Sequence, residues 1–252
     1  MDITLKNNFI ERWNKYFPSA NLPVAFYYSN ELHNAHPALK HNGHHCLIAD
    51  IMKILKKGAA MAFNAGNIGC GGGMRYCGFT DTLREGFEYF LSYGIPGKMK
   101  GERYKKDPET VKEFMKHTAK EQAPAEWLIV KRFDMLNETD KPEAIIFFVK
   151  PDELAGLFTL ANYDRTDPYG VKAPFCAGCG SVIQYPYLEN KKDNPDCILG
   201  GFDSSARPYI TANMLSFAIP FTRFIKLVSY MDESFLITPT WELMRKRISK
   251  NI

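Results

Sequence analysis

Two stretches of the sequence decide the fold: Val24-Ala25-Phe26-Tyr27-Tyr28-Ser29-Asn30-Glu31-Leu32 and Ile145-Ile146-Phe147-Phe148-Val149-Lys150-Pro151-Asp152-Glu153-Leu154. Each begins with a run of apolar and aromatic residues. A polar residue follows the run, and each stretch ends in Glu-Leu. Short continuous apolar runs of this kind are typical of strands that are buried on both faces. The second run leads into Pro-Asp-Glu, which favours the start of a helix. We therefore expect these stretches to form buried strands of one sheet.

Helices and strands alternate along the rest of the chain. Apolar residues at helical spacing and capping residues predict helices over 3–17, 46–57, 81–93, 107–120 and 151–161, and after Pro220 and Pro239. Apolar runs predict strands over 24–28, 59–63, 127–133, 144–149, 182–185, 198–202 and 215–219. This interleaving predicts an α/β or α+β fold around a mixed sheet.

Length and composition restrict the class of protein. The 252 residues suit a single domain spanning 1–252, and 45% hydrophobic with 24% charged residues exclude a disordered or fibrous chain. The net charge of +4 is scattered, so we expect no nucleic-acid partner. No uncharged apolar run reaches about 18 residues, so we expect no membrane partner. The first residues lack a secretory signal, which predicts a cytoplasmic protein.

The two decisive stretches also begin a longer pattern. After each strand come a Cys, a gap, a second Cys, glycines and an Arg, which suggests two related halves over 20–100 and 140–225. Cys46 and Cys70 lie in the first half, and Cys179 and Cys197 in the second. A duplication around a pseudo-twofold axis would bring these four thiols to one centre. Two chance strand-plus-glycine patterns would explain the sequence equally well.

A Cys-x-x-Cys pair lies in the second half, at Cys176-Ala177-Gly178-Cys179. Two thiolates at this spacing can bind one metal, so Cys176 is an alternative to Cys197 as fourth ligand. In a reducing compartment, cysteines are thiols or metal ligands more often than disulfides. Thiolate ligands select zinc or an iron–sulfur cluster. Cys77 is interpreted as a core residue, because free Cys is commonly buried.

Other residues are expected beside this centre, either as ligands or as neighbours of ligands: His45, Gly71, Gly72, Arg75 and Arg207. The glycines allow backbone N–H groups to approach sulfur. His45 adjoins Cys46 and ends a tract of five His between residues 33 and 45. Such a tract can bind metal, but its polar composition fits a solvated loop as well.

These observations favour an iron–sulfur redox protein whose cluster is held by cysteines from both halves. The alternatives are a structural zinc site in a small-molecule-binding protein, and a metal-free binding domain with buried cysteines. A redox dithiol at Cys176 and Cys179 is a further alternative, although the apolar run after them predicts a strand where a thioredoxin-like pair needs a helix. Any enzyme activity would be that of an oxidoreductase. The partner would be a small molecule or a redox protein, and a homo-oligomer is compatible with the sequence.

The chain resembles an uncharacterised family of archaea and anaerobic bacteria, domain of unknown function 169. The resemblance is carried by Pro23–Phe26 with Cys46, Cys70-Gly71-Gly72 with Gly78-Phe79, Phe147–Leu154, Cys179 before Tyr185-Pro186-Tyr187, and Arg207 with Ser216–Pro220. It implies Cys46, Cys70 and Cys179 as the recurring cysteines of the family. Cys176 and the His tract are particular to this chain. The resemblance implies no reaction.

Overall fold

An eight-stranded mixed sheet forms the middle of the structure, a computed structural model that describes residues 1–250. The strands found in those residues are Val24–Ser29 (β1), His36–Pro37 (β2), Ala60–Phe63 (β3), Gly94–Ile95 (β4), Met99–Lys100 (β5), Trp127–Arg132 (β6), Ala144–Val149 (β7), Val171–Lys172 (β8), Cys197–Gly200 (β9) and Leu215–Pro220 (β10). The order of the large sheet is β2-β3-β6-β1-β7-β10-β9-β8, and β4 and β5 pair separately. Neighbours in the large sheet run antiparallel except in the edge pairs β2–β3 and β8–β9, which are parallel.

Helices cover both faces of the sheet. The α-helices of the described residues are Ile3–Tyr16 (α1), Leu47–Lys57 (α2), Gly71–Tyr76 (α3), Phe87–Leu91 (α4), Pro108–Lys116 (α5), Pro151–Ala161 (α6), Tyr185–Asn190 (α7), Phe221–Tyr230 (α8) and Pro239–Lys250 (α9). A π-helical segment, Gly180–Gln184, leads directly into α7. Residues of α1, α6, α8 and α9 join the core on one face. Residues of α2, α3, the π-helical segment and α7 join the core on the other, which we call the α2 face. The α/β prediction is confirmed.

Each central strand contributes to both cores in alternation. Val24 and Phe26 of β1 lie in the α2-face core, while Ala25 and Tyr27 lie in the opposite core. Successive side chains of a strand point to opposite faces, so a strand covered on both sides must be apolar at every position. This requirement explains the uninterrupted apolar runs in the sequence.

Local capping sets several helix ends where the sequence predicts them. Asp107 accepts a hydrogen bond from the Thr110 backbone N–H at 2.7 Å at the start of α5. The Glu153 carboxylate accepts the Lys150 N–H at 2.7 Å at the start of α6. Gly58 ends α2 with φ +65°, a conformation that is strained for residues with a Cβ.

The predicted internal repeat, with halves at 20–100 and 140–225, is not confirmed. From the centre outward the strands are β1, β6, β3, β2 on one side and β7, β10, β9, β8 on the other, so the strand order of the two halves corresponds. Cys46 and Cys179 each directly precede a helical segment. Cys70, however, lies beyond the end of β3, whereas Cys197 is the first residue of β9. The matching strand order therefore does not extend to a two-by-two arrangement of thiols.

Two predicted elements differ from the structure. The strand predicted at 182–185 is wrong, because these residues form the buried π-helical segment and the start of α7. A short apolar run fits a buried helical turn as well as a strand, so periodicity does not distinguish them. The helix predicted over 81–93 is limited to Phe87–Leu91. Among residues 1–250, no helix combines the length and apolar composition that a membrane crossing requires.

A buried ion pair lies where β6 meets the loop before β7. The Lys131 ammonium contacts both carboxylate oxygens of Asp140 at 2.9 Å, and the two side chains are 1% and 0% exposed. The Tyr27 hydroxyl and the Asn137 N–H also donate to this carboxylate. Burial, followed by the hydrogen bond to Asp140, raises the pKa of Tyr27 well above its usual value, so this hydroxyl stays a donor.

We expect Asp140→Asn to lower the free energy of unfolding by about 3–5 kcal/mol, because it leaves the Lys131 charge buried without its counter-ion. Asp134→Asn is the matched control, since Asp134 pairs with Arg132 at a partly exposed position. Its loss should stay below about 1 kcal/mol. Urea denaturation of the three proteins measures both values. Equal losses for the two variants would contradict the prediction.

Candidate functional site

Three cysteines on the α2 face each stand directly before a helical segment. Cys46 precedes α2, Cys70 precedes α3, and Cys179 precedes the π-helical segment. Cys46 and Cys179 belong to the α2-face core, and Cys70 is partly exposed. The family resemblance implies these same three cysteines.

Small residues allow the three segments to approach closely. A Cβ on Gly178 would lie 2.9 Å from the Ala206 Cβ and 3.1 Å from Ile48 Cγ1, closer than real Cβ atoms normally approach. A Cβ on Gly72 would lie 3.8 Å from the Ala177 Cβ, in ordinary contact. The segment around Cys179 therefore packs directly against the starts of α2 and α3.

The electrostatic neighbours of the thiols define a group of four. Burial raises the pKa of the Cys179 thiol well above its usual value, and negative charge at Cys77, Cys70 and Cys46 raises it further. Burial also raises the pKa of the Cys77 thiol, and negative charge at Cys70 raises it further. Cys77 is fully buried, as the sequence predicts for a core residue. We call Cys46, Cys70, Cys77 and Cys179 the thiol group.

Cys197 does not belong to the thiol group, which corrects the set of ligands predicted from the sequence. It is fully buried in the core on the opposite face, whereas its neighbour Ile198 points to the α2 face. Burial raises the pKa of Cys197 to about 12. The positive charges of Arg223 and Arg165 lower this pKa, but by less than burial raises it. The alternation of side chains along β9 places the sheet between Cys197 and Cys46.

Cys176 makes its hydrogen bond outside the thiol group. The thiol donates to the Pro174 carbonyl at 3.5 Å. Burial, followed by the charge of Asp203, raises its pKa to about 12. The expectation that a strand follows the Cys-x-x-Cys pair is wrong, because Cys179 precedes a helical segment. Even so, a reactive dithiol needs a thiol of lowered pKa, and the pKa values of both Cys176 and Cys179 are raised.

Asp203 is a further candidate site residue. Its carboxylate accepts the Gly178 N–H at 2.8 Å and the backbone N–H and hydroxyl of Ser205 at 3.0 and 2.8 Å. Its charge contributes to the raised pKa values of Cys46, Cys176 and Cys179. An aspartate before two serines is typical of turns. Its proximity to the thiols depends on tertiary packing.

The glycines predicted at the site lie at the start of α3. The Gly73 N–H donates to Cys70 Sγ at 3.3 Å, which places a backbone donor on that sulfur. Gly71 and Gly72 are exposed, and a Cβ on Gly71 would meet open space. Gly71 and Gly72 therefore border the partly exposed side of Cys70.

The two predicted arginines make other contacts. Arg207 donates to the carbonyls of Met214 and Ala212, both at 2.6 Å, and so holds the loop before β10. Arg75 is buried and donates to the Asp81 carbonyl at 3.1 Å. These hydrogen bonds direct both guanidinium groups at backbone carbonyls and not at the thiol group.

His45 contacts the first turn of α2. Its Nε2 lies 2.8 Å from Asp50 Oδ2. Within residues 1–250, three ligand atoms of different His, Cys, Asp or Glu side chains lie within 4.8 Å of one another in one place, at His41, His45 and Asp50. No three sulfurs of the thiol group therefore all lie within 4.8 Å of one another.

A surface cleft of about 500 Å³ opens elsewhere on the chain. Its lining includes Asn64, Gly78, Phe79, Asp81 and Gln122, all from the first half of the sequence. The lining of the cleft includes no cysteine.

The raised pKa of Cys176 predicts a loss of stability at alkaline pH. The unfolded thiol ionises above its ordinary pKa of 9.0, whereas the folded thiol resists ionisation up to about 12. The unfolded state thus binds fewer protons in this window, and the free energy of unfolding falls as pH rises. Cys176 should contribute roughly 1 kcal/mol to the decrease between pH 8 and 10.

We therefore expect Cys176→Ala to show a smaller decrease than the parent chain when urea denaturation is measured at pH 8 and at pH 10. The exposed Thr211→Ala variant is the control and should keep the full decrease. An identical decrease in the parent chain and in Cys176→Ala would contradict the prediction.

The sequence matches one known protein family. A family profile described as DUF169, an uncharacterised ArCR family, matches residues 16–230. Comparisons with curated proteins and with solved structures gave no match. The matched region contains the whole thiol group, Cys176 and the His tract. Since it covers well over half of the sequence, the chain belongs to the uncharacterised family DUF169.

Proposed function

We propose that this chain is an iron–sulfur redox protein whose cluster is bound by Cys46, Cys70 and Cys179, with Cys77 as the fourth thiol. The observation that carries the proposal is the packing, on the α2 face, of the segments that bear these four thiols. Four converging cysteine thiolates are the usual ligand set of iron–sulfur clusters. Compared with the ligand set expected from sequence, Cys77 takes the place of Cys197.

The spacing of the sulfurs favours a cluster over a single zinc ion. Zinc–sulfur bonds of about 2.3 Å in a tetrahedron place the sulfurs roughly 3.8 Å apart. Among the described residues, no three thiols lie within 4.8 Å of one another. An iron–sulfur cluster tolerates wider spacing because its thiolates bind different iron atoms. Structural zinc remains the alternative, with closer approach of the thiols on binding.

The charges around the thiols also favour a cationic centre. Burial keeps Cys77 and Cys179 neutral, and Asp203 adds a negative charge beside Cys46 and Cys179. Thiolates at these positions need a nearby positive charge to offset desolvation and mutual repulsion. Iron supplies that charge, and its binding releases the thiol protons.

Backbone amides would tune the redox potential of such a centre. The Gly73 N–H donates to Cys70 Sγ, and the amides of Ile48 and Ala49 lower the pKa of Cys46 against the larger effect of burial. Donors on cluster sulfurs favour the more negatively charged, reduced state. The cluster would accept one electron from a reduced partner protein or small molecule and pass it to an oxidised acceptor. Cys70 is partly exposed, which brings this exchange close to the surface. A catalysed reaction would then be that of an oxidoreductase.

The test is anaerobic reconstitution of the full chain with ferrous iron and sulfide, followed by iron and acid-labile sulfide assays and EPR of the reduced protein. We expect stoichiometric iron and sulfide with a visible charge-transfer band. Cys46→Ala, Cys70→Ala and Cys179→Ala should each lose most of the cluster, because each removes a ligand. A colourless parent chain without bound iron and sulfide would overturn the proposal.

The control is Cys197→Ala, which removes a buried thiol on the opposite face of the sheet and should retain the cluster. Circular dichroism of each variant separates loss of ligand from loss of fold. Cluster loss in Cys77→Ala but not in Cys176→Ala would support Cys77 as fourth ligand, and the reverse would assign Cys176. Binding of equimolar zinc without sulfide, accompanied by release of the thiol protons, would replace the iron–sulfur proposal with the structural zinc alternative.

A further inference from the structure

A second group of potential ligands lies at the start of α2. His41, His45 and Asp50 each offer a ligand atom, and these atoms all lie within 4.8 Å of one another. The His45 Nε2 lies 2.8 Å from Asp50 Oδ2, and the rings of His41 and His45 are stacked with centroids 3.5 Å apart. We call these residues the His–Asp group.

We propose that the His–Asp group binds a divalent first-row transition-metal ion, such as Zn²⁺ or Fe²⁺, through two imidazoles and one carboxylate. This proposal does not depend on the iron–sulfur cluster, because it uses none of the thiols. Two His and one carboxylate are a set that zinc and non-haem iron accept, and three protein ligands leave coordination positions for water or a substrate.

The carboxylate is held in place by the fold. Asp50 lies in the first turn of α2 and is only 4% exposed. Besides His45, which pairs with it when protonated, the carboxylate contacts Lys53, whose Nζ lies 3.0 Å from Oδ1 and whose side chain is 53% exposed. A buried carboxylate needs compensation by charge or hydrogen bonds. A metal at Oδ2 would provide it directly, leaving Lys53 on the other oxygen.

The two imidazoles differ in how they are held. The His45 N–H donates to the Gly69 carbonyl at 3.2 Å, and the absence of a Cβ at Gly69 allows this close approach. His41 comes from the preceding loop, and within residues 1–250 its ring makes no hydrogen bond. The loop turns at Gly43, which has φ +82°. The ring nitrogens of His41 therefore make no competing hydrogen bond, and the ring would tilt out of its stacking contact with His45 to direct one of them at a metal.

A hydrogen-bonded His45–Asp50 pair covered by His41 would explain the geometry without a metal. The two explanations differ in the role of His41, which the pair alone does not require. They also differ at Lys53, because a cation beside Asp50 competes with a metal but stabilises an isolated carboxylate. Substitutions at the half-buried His41 and the exposed Lys53 therefore separate the two explanations.

The experiment uses Co²⁺ as a spectroscopic probe, and Zn²⁺ in competition with it, on the full chain. His41→Ala should weaken Co²⁺ binding by more than the roughly 10–100-fold that results from removing a hydrogen-bond partner of a ligand. Asp50→Asn should do the same, and Lys53→Gln should strengthen binding by removing a competing charge. His44→Ala, an exposed residue of the same loop, is the matched control and should bind as the parent chain does.

The Co²⁺ spectrum distinguishes this site from the thiol group. Binding by imidazole and carboxylate gives weak ligand-field bands, whereas binding by thiolate adds intense sulfur-to-cobalt charge transfer. Ligand-field bands that vanish in His41→Ala and persist in Cys70→Ala would support the proposal. Sulfur charge transfer as the only signal, or equal affinity in the His41→Ala and His44→Ala variants, would overturn it.

Discussion

The pairing of β1 with β7 is the constraint on which the rest of the structure depends. Three residue pairs, Val24 with Ile146, Ala25 with Ile145, and Phe26 with Ala144, join the two halves of the eight-stranded sheet. All six side chains are fully buried, and they alternate between the two cores. A shift of one residue would exchange the faces of every side chain in a strand, so burial on both sides fixes the register.

This register determines which thiols can meet. Strands from both halves support the α2 face, where the segments that carry Cys46, Cys70 and Cys179 pack together. The same alternation turns Cys197 to the opposite core. Two groups of potential ligands thus lie at the start of α2: Cys46 precedes the helix and belongs to the thiol group, while His45 and Asp50 belong to the His–Asp group. Ions at both would lie on adjacent parts of one helix, close enough for mutual electrostatic influence.

Much of the secondary structure could be predicted, because the signals for it are local. The strands at Val24–Ser29, Ala60–Phe63 and Ala144–Val149 follow from apolar runs, and α5 and α6 begin at the predicted Pro. The segment at 182–185 was not predictable in this way, since an apolar run of that length fits a buried helix or a strand. At the site, the family resemblance indicated Cys46, Cys70 and Cys179, whereas Cys77 and Asp203 are recognised only from their neighbours.

The amino-acid sequence alone establishes that this chain forms a sheet buried on both faces, that it carries six thiols, and that a glycine-rich segment adjoins one of them. Hydrophobic periodicity and capping act over a few residues, so they can be read along the chain. Tertiary structure decided which thiols share a face and which carboxylate lies beside them. These relations depend on strand register and on contacts between distant segments, and no local pattern encodes either.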